Sequence, residues 1–171
     1  MARIGLLSDS HGRADTTRRA VQTLLSLQVD LILHLGDVGS PEVIDQLLVA
    51  APSSSDPLPV HIVFGNIDGN AQTLARYSRH LGIIVDHPVG RLEIDGKELI
   101  FTHGDNAQLM ADAVRRGATW LCHGHTHRAA DEHRGKTRVI NPGALYRAAS
   151  YSVAVLDTTT DELEFRAVPS P

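Results

Sequence analysis

Three histidines stand at alternate positions within residues 121–128, which read LCHGHTHR; they are His123, His125 and His127. In an extended segment, alternate side chains point to the same face, so the three imidazoles can all face one point in space. Such a cluster is typical of a metal site, a proton relay or an affinity tag. An internal, interrupted cluster is not a tag, and neutral imidazole is the commonest metal ligand among side chains. The pattern therefore predicts a metal site, provided that other segments supply the missing ligands.

Further residues of metal-binding types recur where predicted strands end. The five segments are DSH with Asp9 and His11, GD with Asp37, GN with Asn66, THG with His103, and GHTH with His125 and His127. Any one of these segments also fits an ordinary turn or helix cap, but turn chemistry does not require histidine in three of the five. Binding sites in open α/β sheets lie outside the carboxyl ends of the strands. The sequence therefore predicts that five segments bring seven side chains to one crevice.

The elements that must position these residues follow from hydrophobic periodicity. Short apolar runs alternate with helical spacing in the first half, including a helix over SPEVIDQLLVAA that begins at Ser40 and Pro41. This βαβαβ succession indicates a parallel sheet. In the second half, Asp95-Gly96 between two strand-like runs predicts a hairpin, and four short strands follow the GHTH segment. The expected product is an α/β fold of two packed sheets flanked by helices, in a single domain over residues 1–171.

Composition narrows the function classes. The chain has 171 residues, of which 42% are apolar and 21% charged, as in a globular protein. Acidic residues outnumber basic ones by 20 to 16, which argues against a broad nucleic-acid-binding surface. The single cysteine, Cys122, excludes an intrachain disulfide, and we read it as a buried, inert thiol. We find no signal peptide and no apolar run of about 18 residues, so we expect a cytoplasmic protein without a membrane segment.

At this point the ordered set DSHG, GD, GN, THG and GHTH resembles the calcineurin-like metallophosphoesterases. It is most similar to their small prokaryotic branch of manganese-dependent phosphodiesterases. The similarity runs along nearly the whole chain, from IGLLSDSHG through LHLGDV and VFGNID to NPGAL. The resemblance implies a four-layer α-β-β-α sandwich of two mixed sheets, which agrees with the pattern of elements described above.

The resemblance also implies a ligand set. Asp9, His11 and His127 are expected to hold a first divalent ion, and Asn66, His103 and His125 a second. Asp37 is expected to bridge both ions, and with Asn66 and His103 to serve the hydrolysis of phosphate esters by a metal-bridging hydroxide. Manganese is the expected metal, with iron, zinc, nickel or magnesium as alternatives. His123 is not among the family's ligands and is interpreted as a structural residue at the strand end.

One position departs from the larger family. Many relatives read GNHE, where the histidine helps to protonate the leaving group, whereas this chain reads GNID and has Ile67 there. The small branch also lacks that histidine, so the resemblance holds but the identity of a general acid is left open. We considered Asp68 for that role and for substrate binding, although an aspartate in a turn is more often structural. Arg13 and Arg128, beside metal-binding segments, are candidates for contact with the substrate phosphate.

Two function classes follow. The first is an enzyme that hydrolyses a small phosphodiester or nucleotide. The second is a non-catalytic scaffold, like the retromer subunit that shares this fold but has a degraded site. A nuclease acting on long DNA is a further alternative, which the acidic balance disfavours, so no stable nucleic-acid partner is expected. All seven ligand positions are filled, which favours the enzyme. The oligomeric state stays open, including a homo-oligomer.

Overall fold

The computed structural model describes residues 2–169, so that residues 1, 170 and 171 of the predicted domain lie outside the described residues. Eleven strands form two mixed sheets. The six-stranded sheet has the order β11-β10-β1-β2-β3-β4, and the five-stranded sheet has the order β5-β6-β7-β9-β8. The strands are β1 (Arg3–Leu7), β2 (Leu31–Leu35), β3 (Val60–Val63), β4 (Ile84–Val85), β5 (Val89–Ile94), β6 (Lys97–Thr102), β7 (Trp120–Cys122), β8 (Ala130–Arg134), β9 (Thr137–Asn141), β10 (Ser152–Asp157) and β11 (Leu163–Ala167).

Each sheet has a parallel core to which antiparallel strands are added, although the β4 edge of the six-stranded sheet is parallel. Strands β1 to β4 run parallel in the six-stranded sheet, and β10 and β11 extend it as antiparallel neighbours. In the five-stranded sheet, β6, β7 and β9 are parallel, while β5 and β8 pair antiparallel at the edges. The predicted hairpin joins β5 to β6, with Asp95 and Gly96 both at positive φ, as a tight primed turn requires.

Four helices cover the outer faces of the sheets, namely α1 (Ala14–Ser26), α2 (Pro41–Asp45), α3 (Ala71–His80) and α4 (Ala107–Arg116). Helices α1 to α3 contact the six-stranded sheet or one another, whereas α4 contacts β6 and β7 of the five-stranded sheet. The α-β-β-α sandwich of two mixed sheets is therefore confirmed. Within residues 2–169, no helix combines the length and the apolar character that crossing a bilayer would require.

Three apolar clusters separate the layers, because successive strand residues point to opposite faces. Ile4 and Leu6 of β1 pack between the two sheets against Phe101 and Trp120, all fully buried. Leu7, one position on, points the other way into the cluster beneath α1 to α3. A smaller cluster lies beneath α4. The sheets are therefore fixed face to face, and the carboxyl ends of their central strands share one edge of the sandwich.

Helix α2 is shorter than predicted. The sequence favoured a helix through Ala51, but it ends at Asp45 and the following residues make tighter hydrogen bonds three residues apart. Two tertiary contacts account for this. Leu47 is fully buried in the cluster beneath the helices, and the carbonyl of Val49 accepts a hydrogen bond from Leu58 across a turn. Ser40 stands at the N-cap position without a capping side-chain hydrogen bond.

Candidate metal centre

The seven predicted ligands all follow the carboxyl ends of parallel strands. Asp9 and His11 follow β1, Asp37 follows β2 and Asn66 follows β3, all in the six-stranded sheet. His103 follows β6, while His125 and His127 follow β7, both in the five-stranded sheet. We call Asp9, His11 and His127 the first donor group, and Asn66, His103 and His125 the second donor group. Each group draws on both sheets, so the packing of the two sheets builds the site.

Asp37 lies between the two groups. Its Oδ2 is 3.2 Å from Nε2 of His11, in the first donor group. Its Oδ1 is 3.3 Å from Nε2 of His103, in the second donor group, and also accepts a hydrogen bond of 3.1 Å from the backbone N–H of Ile67. Each carboxylate oxygen therefore faces a different histidine, which is the geometry that a bridging carboxylate needs.

The first donor group forms a compact cluster with Asp37. Ligand atoms of these four residues all lie within 4.8 Å of one another. Oδ1 of Asp9 and Nε2 of His11 are buried and have no hydrogen-bond partner, although Nε2 of His127 approaches that Asp9 oxygen to 3.2 Å. Buried polar atoms are nearly always paired in proteins. Converging lone pairs without partners fit a divalent cation of the kind that the sequence predicted.

The second donor group is arranged around His103. Nε2 of this buried ring lies 3.2 Å from Oδ1 of Asn66, and the rings of His103 and His125 are 5.1 Å apart between centroids. Nδ1 of His103 donates to the carbonyl of Leu35 at 2.8 Å. This bond fixes the ring orientation and leaves Nε2 facing Asp37, the usual arrangement behind a histidine that binds a metal.

The backbone of the site is strained. Within residues 2–169, nine residues other than glycine have positive φ, and five of them are predicted ligands: Asp9 (56°), His11 (45°), Asp37 (53°), His125 (69°) and His127 (58°). Such conformations are uncommon for non-glycine residues, and each costs on the order of 1–3 kcal/mol. Hydrogen bonds between loops hold them, for example from the N–H of Asp9 to Gly36 and from that of His11 to Asp37. Strain concentrated here points to a functional site.

Two glycines beside the ligands allow the loops that carry the ligands to approach one another closely. A Cβ on Gly65 would overlap Oδ1 of Asp37, and one on Gly124 would overlap the side chains of Ser8 and Asp9. These glycines precede Asn66 and His125 in the GN and GH motifs. The motifs therefore contain glycine because no larger residue fits against the neighbouring ligands.

Burial and charge set the protonation of the ligands. Burial raises the pKa of Asp9 and lowers that of His11. Burial also acts to raise the pKa of Asp37, but the hydrogen bond and charge of His103, the N–H of Ile67 and the charge of His11 together outweigh it, so that the pKa of Asp37 lies below its ordinary value. Burial acts to lower the pKa of His103, but its hydrogen bonds with Asp37 and with the Leu35 carbonyl raise it above its ordinary value. Asp37 is therefore ionised and His11 neutral at neutral pH, the forms in which both donate lone pairs.

Comparison with known proteins identifies the family. The sequence model of the calcineurin-like phosphoesterase superfamily domain matches residues 2–161. The chain belongs to this superfamily. It is 27% identical to a phosphodiesterase of Methanocaldococcus jannaschii, over 97% of this chain and 98% of that one. It is 32% identical to a probable metallophosphoesterase of Methanothermobacter thermautotrophicus, over 94% of this chain and 88% of that one.

A solved structure agrees with these relatives. An archaeal phosphodiesterase superimposes on the chain with a TM-score of 0.84 at 26% identity, covering 97% of this chain and 99% of the other. The predicted resemblance to calcineurin-like phosphoesterases, and to their small prokaryotic members, is therefore confirmed. Metal-dependent phosphoester chemistry is the chemistry of this family.

The path of the histidine segment in this superfamily member differs from the prediction. An extended segment would let all three imidazoles face one point, although only His125 and His127 were expected as ligands. Strand β7 instead ends at Cys122, and His125 and His127 adopt left-handed backbone conformations. The extended path is therefore wrong. His123 is buried, and its Nδ1 contacts the carbonyl of Gly124 at 3.0 Å, in agreement with the structural role predicted for it.

Asn141 holds the histidine loop, and the sequence reasoning missed it. Its Nδ2 donates to the carbonyl of Gly124 at 2.8 Å and to Oγ1 of Thr126 at 3.0 Å. Its Oδ1 accepts from the N–H of Gly143 at 2.9 Å. The loop thus acquires its shape from the last residue of β9. The asparagine of the NPGAL motif was the available signal.

Asp68 fixes the loops around Asp37. Its carboxylate is buried and accepts hydrogen bonds from the N–H groups of Val38 (3.1 Å), Gly39 (2.8 Å) and Gly65 (2.9 Å). These contacts occupy both oxygens and assign the residue to holding the loops. Neither the substrate-binding role nor the general-acid role considered for Asp68 finds a supporting contact, and both stay untested predictions.

The residues considered for the substrate lie at the rim. Arg13 is exposed, and its guanidinium carbon is 4.9 Å from the ring centroid of Tyr146. That ring is in turn 4.8 Å from the ring of His11, so Tyr146 lies beside the first donor group. Sequence reasoning missed Tyr146, for which residue type and spacing gave no signal. Arg128 is exposed next to His127, and Ile67 is 43% exposed beside Asn66.

Proposed function

We propose that the protein is a phosphodiesterase that holds two divalent cations per chain and hydrolyses small phosphate diesters. The observation that carries this proposal is Asp37, whose two oxygens face histidines of different donor groups at 3.2 and 3.3 Å. A carboxylate shared in this way supports two cations rather than one. Family membership and the relatives named as phosphodiesterases support the reaction class.

The donor atoms favour a transition-metal ion such as manganese, the metal that the resemblance implies. The two donor groups and Asp37 offer imidazole nitrogens, carboxylates and one amide oxygen, a mixture that suits manganese, iron, zinc or nickel better than calcium. No thiolate is among them, unlike many structural zinc sites. Two cations contribute four positive charges, whereas Asp9 and Asp37 contribute only two negative ones. The site therefore keeps a net positive charge and attracts an anionic phosphate.

The chain's own residues position this chemistry. When bound, divalent cations acidify water and neutralise the phosphoryl oxygens. Asp37 holds the two halves of the site together, with its Oδ1 fixed by the N–H of Ile67. His103 is oriented by its bond to the Leu35 carbonyl, and Asn66 brings an uncharged oxygen to the solvent side. Ile67 has no proton to give to the leaving group, so leaving groups that depart without protonation are favoured.

The closing experiment is a substrate screen. The protein loaded with manganese is assayed with bis(p-nitrophenyl) phosphate, p-nitrophenyl phosphate and small nucleotide diesters. We expect metal-dependent turnover of the aryl diester that exceeds turnover of the monoester. Protein with two bound ions per chain and no turnover of any ester would favour the non-catalytic scaffold instead. Activity only on long DNA would favour the nuclease.

For the natural compartment we propose the cytoplasm, since the only cysteine, Cys122, is a buried free thiol.

A further inference from the structure

A groove continues from the first donor group along one side of the molecule. It has a volume of about 740 Å³ and is lined by residues 126–129, residues 147–150 and the end of β11. We call it the arginine groove, because Arg128, Arg147 and Arg166 are its charged residues. His127, a member of the first donor group, also lines it. A molecule bound at the candidate metal centre can therefore extend directly into this groove.

The charge of the arginine groove opposes that of the chain. The chain as a whole has 20 acidic and 16 basic residues, yet three arginines and no carboxylate line the groove. Arg166 contacts Glu164 outside the groove, which reduces its charge. Arg128 has no acidic partner among the ion pairs of residues 2–169 and is exposed. A local excess of guanidinium groups beside a phosphoester site indicates that the groove takes a second anion.

Arg147 is held in place by its surroundings. Its guanidinium carbon is 5.1 Å from the ring centroid of Tyr146, and that ring lies 4.8 Å from the ring of His11. Its backbone adopts a positive φ of 46°, which is uncommon for arginine. The exposed side chain is thus stacked on Tyr146, between the candidate metal centre and the groove. Guanidinium groups bind phosphate through paired N–H groups, which makes arginine suited to this anion.

The groove also offers a flat apolar surface. Phe165 is 36% exposed and lines the groove next to Arg166. Exposed aromatic rings bind nucleobases by stacking, whatever the base. Guanidinium groups and one aromatic ring beside a phosphoester site match a nucleotide better than they match a simple phosphate diester.

We propose that the arginine groove binds a second phosphate and the adjoining nucleoside of a short nucleotide substrate, such as a dinucleotide with a terminal phosphate. This inference rests on the proposed phosphodiesterase function and adds the class of substrate. The reaction is hydrolysis: water adds to phosphorus, the bond from phosphorus to the leaving nucleoside oxygen breaks, and that oxygen takes up a proton. The groove takes no part in the bond change and contributes binding of the second phosphate.

The test compares matched substrates on the manganese-loaded protein. One substrate is two thymidines joined by a single phosphodiester, without a terminal phosphate. The others are the same dinucleotide with a 5′- or a 3′-phosphate, and bis(p-nitrophenyl) phosphate. We expect at least one phosphorylated dinucleotide to have a kcat/KM about 10-fold or more above that of the unphosphorylated one, as a charge-assisted contact to phosphate provides. The advantage should shrink at high salt, because the contacts lie near the surface.

Variants of the groove identify the cause. Arg147→Gln should remove most of the advantage of the terminal phosphate, while kcat/KM for bis(p-nitrophenyl) phosphate and the metal content change by less than about twofold. Arg128→Gln, at a residue that is also a candidate for contact with the reacting phosphate, should remove the same advantage at unchanged metal content. Arg91→Gln is the matched control, since Arg91 is exposed on the edge strand β5 and does not line the groove. It removes the same charge and should leave all ratios unchanged.

The outcomes separate the two proposals. Absence of hydrolysis of every one of these diesters by the unmodified, manganese-loaded protein would overturn the phosphodiesterase function itself. Hydrolysis of these diesters with no preference for a terminal phosphate would overturn only the groove proposal. A preference that survives in both groove variants would do so as well. A kcat/KM that keeps rising for oligonucleotides of about ten or more residues would replace the short nucleotide with a polymeric substrate.

Discussion

The two donor groups that share Asp37 differ in how firmly the chain encloses them. In the first donor group, Asp9 is fully buried and both histidines are partly buried. In the second donor group, His103 is buried, but Asn66 and His125 are exposed. The first group lies within a compact cluster of ligand atoms, whereas the second opens to solvent on the side of Ile67. We infer that the first group holds its cation more tightly and that substrate approaches from the second.

This asymmetry has a physical origin in the loops. The first group depends on the segment after β1, which is tied to the β2 loop by backbone hydrogen bonds from Asp9, His11 and Gly12. Beneath it, Nε2 of His34 lies 2.8 Å from Oγ of Ser10 in the core. The second group is anchored by the bond of His103 to Leu35 and by the bond from the N–H of His125 to Asp9, but the side chains of Asn66 and His125 are exposed. A rigid half and an open half suit an enzyme that must hold metal and still admit substrate.

The largest effect is expected at the residue common to both halves. Asp37→Ala removes the carboxylate that faces His11 and His103, so we expect loss of most of both divalent ions. The kcat/KM for an aryl diester should fall by more than about 100-fold. Loss of a residue that only supports a ligand costs up to about 100-fold, and Asp37 is proposed to bind both ions directly. Metal content is measured by elemental analysis after dialysis, against about two ions per chain in the unmodified protein. Asp56→Ala, on an exposed loop, is the control. Two bound ions per chain in Asp37→Ala would contradict the assignment of Asp37 as the bridging ligand.

The second prediction separates the two halves. His125→Ala should lose one ion and keep the other tightly bound, because the first donor group stays intact. His11→Ala should also lose one ion, but the remaining ion should leave at lower chelator concentration, since it is held by the exposed group. Stepwise titration with EDTA, followed by metal analysis, measures both.

The control for this pair is His123→Ala, which should keep near-normal metal content because His123 contacts the Gly124 carbonyl. Loss of an ion in that variant would mean that the ligand assignment of the histidine segment is wrong. Equal chelator sensitivity of His11→Ala and His125→Ala would refute the asymmetry.

The third prediction concerns the support beneath the first donor group. His34 is completely buried, and burial lowers its pKa from 6.5 to about 3. The N–H of Gly36 donates to its Nδ1 at 3.3 Å, so the ring is neutral and its Nε2–H donates to Ser10. Between pH 6.5 and about 3 the unfolded chain therefore binds a proton that the folded chain does not. This contribution to stability is fully present above pH 6.5 and is lost as the pH falls through that window.

His34→Gln should remove this pH dependence, which amounts to at most about 1.4 kcal/mol per pH unit. Urea unfolding of the metal-free proteins at pH 7 and pH 5 measures it, with the exposed His80→Gln as control. We also expect the affinity for the first ion to fall by up to about 10-fold, without a change for the second. An unchanged slope of stability against pH in His34→Gln would contradict the neutral buried ring.

The sequence predicted where the candidate ligands lie in the fold better than it predicted the path of the chain between them. Asp9, Asp37 and His103 were placed correctly at the carboxyl ends of strands, because strand period and sheet topology follow from local pattern. The left-handed path of the chain after Cys122 does not follow from local pattern, because it depends on Asn141, a residue of a later strand. The early end of α2 was likewise missed, since burial of Leu47 is a tertiary effect.

The same limit applies to the rim of the site. Tyr146 and Arg147 reach the first donor group from a loop that is more than one hundred residues away in sequence from His11. Neither spacing nor residue type links them to a metal site, and the stacking appears only when the two sheets are packed. Residues that bind metal carry chemical signatures, whereas residues that shape a groove mostly do not.

The smallest effect is expected at Ile67, on the open side of the comparison. Its side chain is 43% exposed and offers no proton to a departing alkoxide. General acid assistance is typically worth about 10²–10⁴-fold, and aryl leaving groups need little of it. We therefore expect aryl diesters to react much faster than alkyl diesters. Ile67→His should narrow the ratio of their kcat/KM values by about 10-fold or more, at unchanged metal content.

The measurement compares bis(p-nitrophenyl) phosphate with an alkyl p-nitrophenyl diester and a dialkyl diester, across pH values at which histidine titrates. Ile84→His is the matched control, since Ile84 is 47% exposed on β4, outside the donor groups. If a proton donor is what the open half lacks, only the Ile67 variant gains on the poorer leaving groups, and the gain is lost as the new imidazole deprotonates at higher pH. An unchanged ratio with both ions bound would mean that the leaving group is protonated by another route, and the selectivity would then have to come from the shape of the open half rather than from its missing acid.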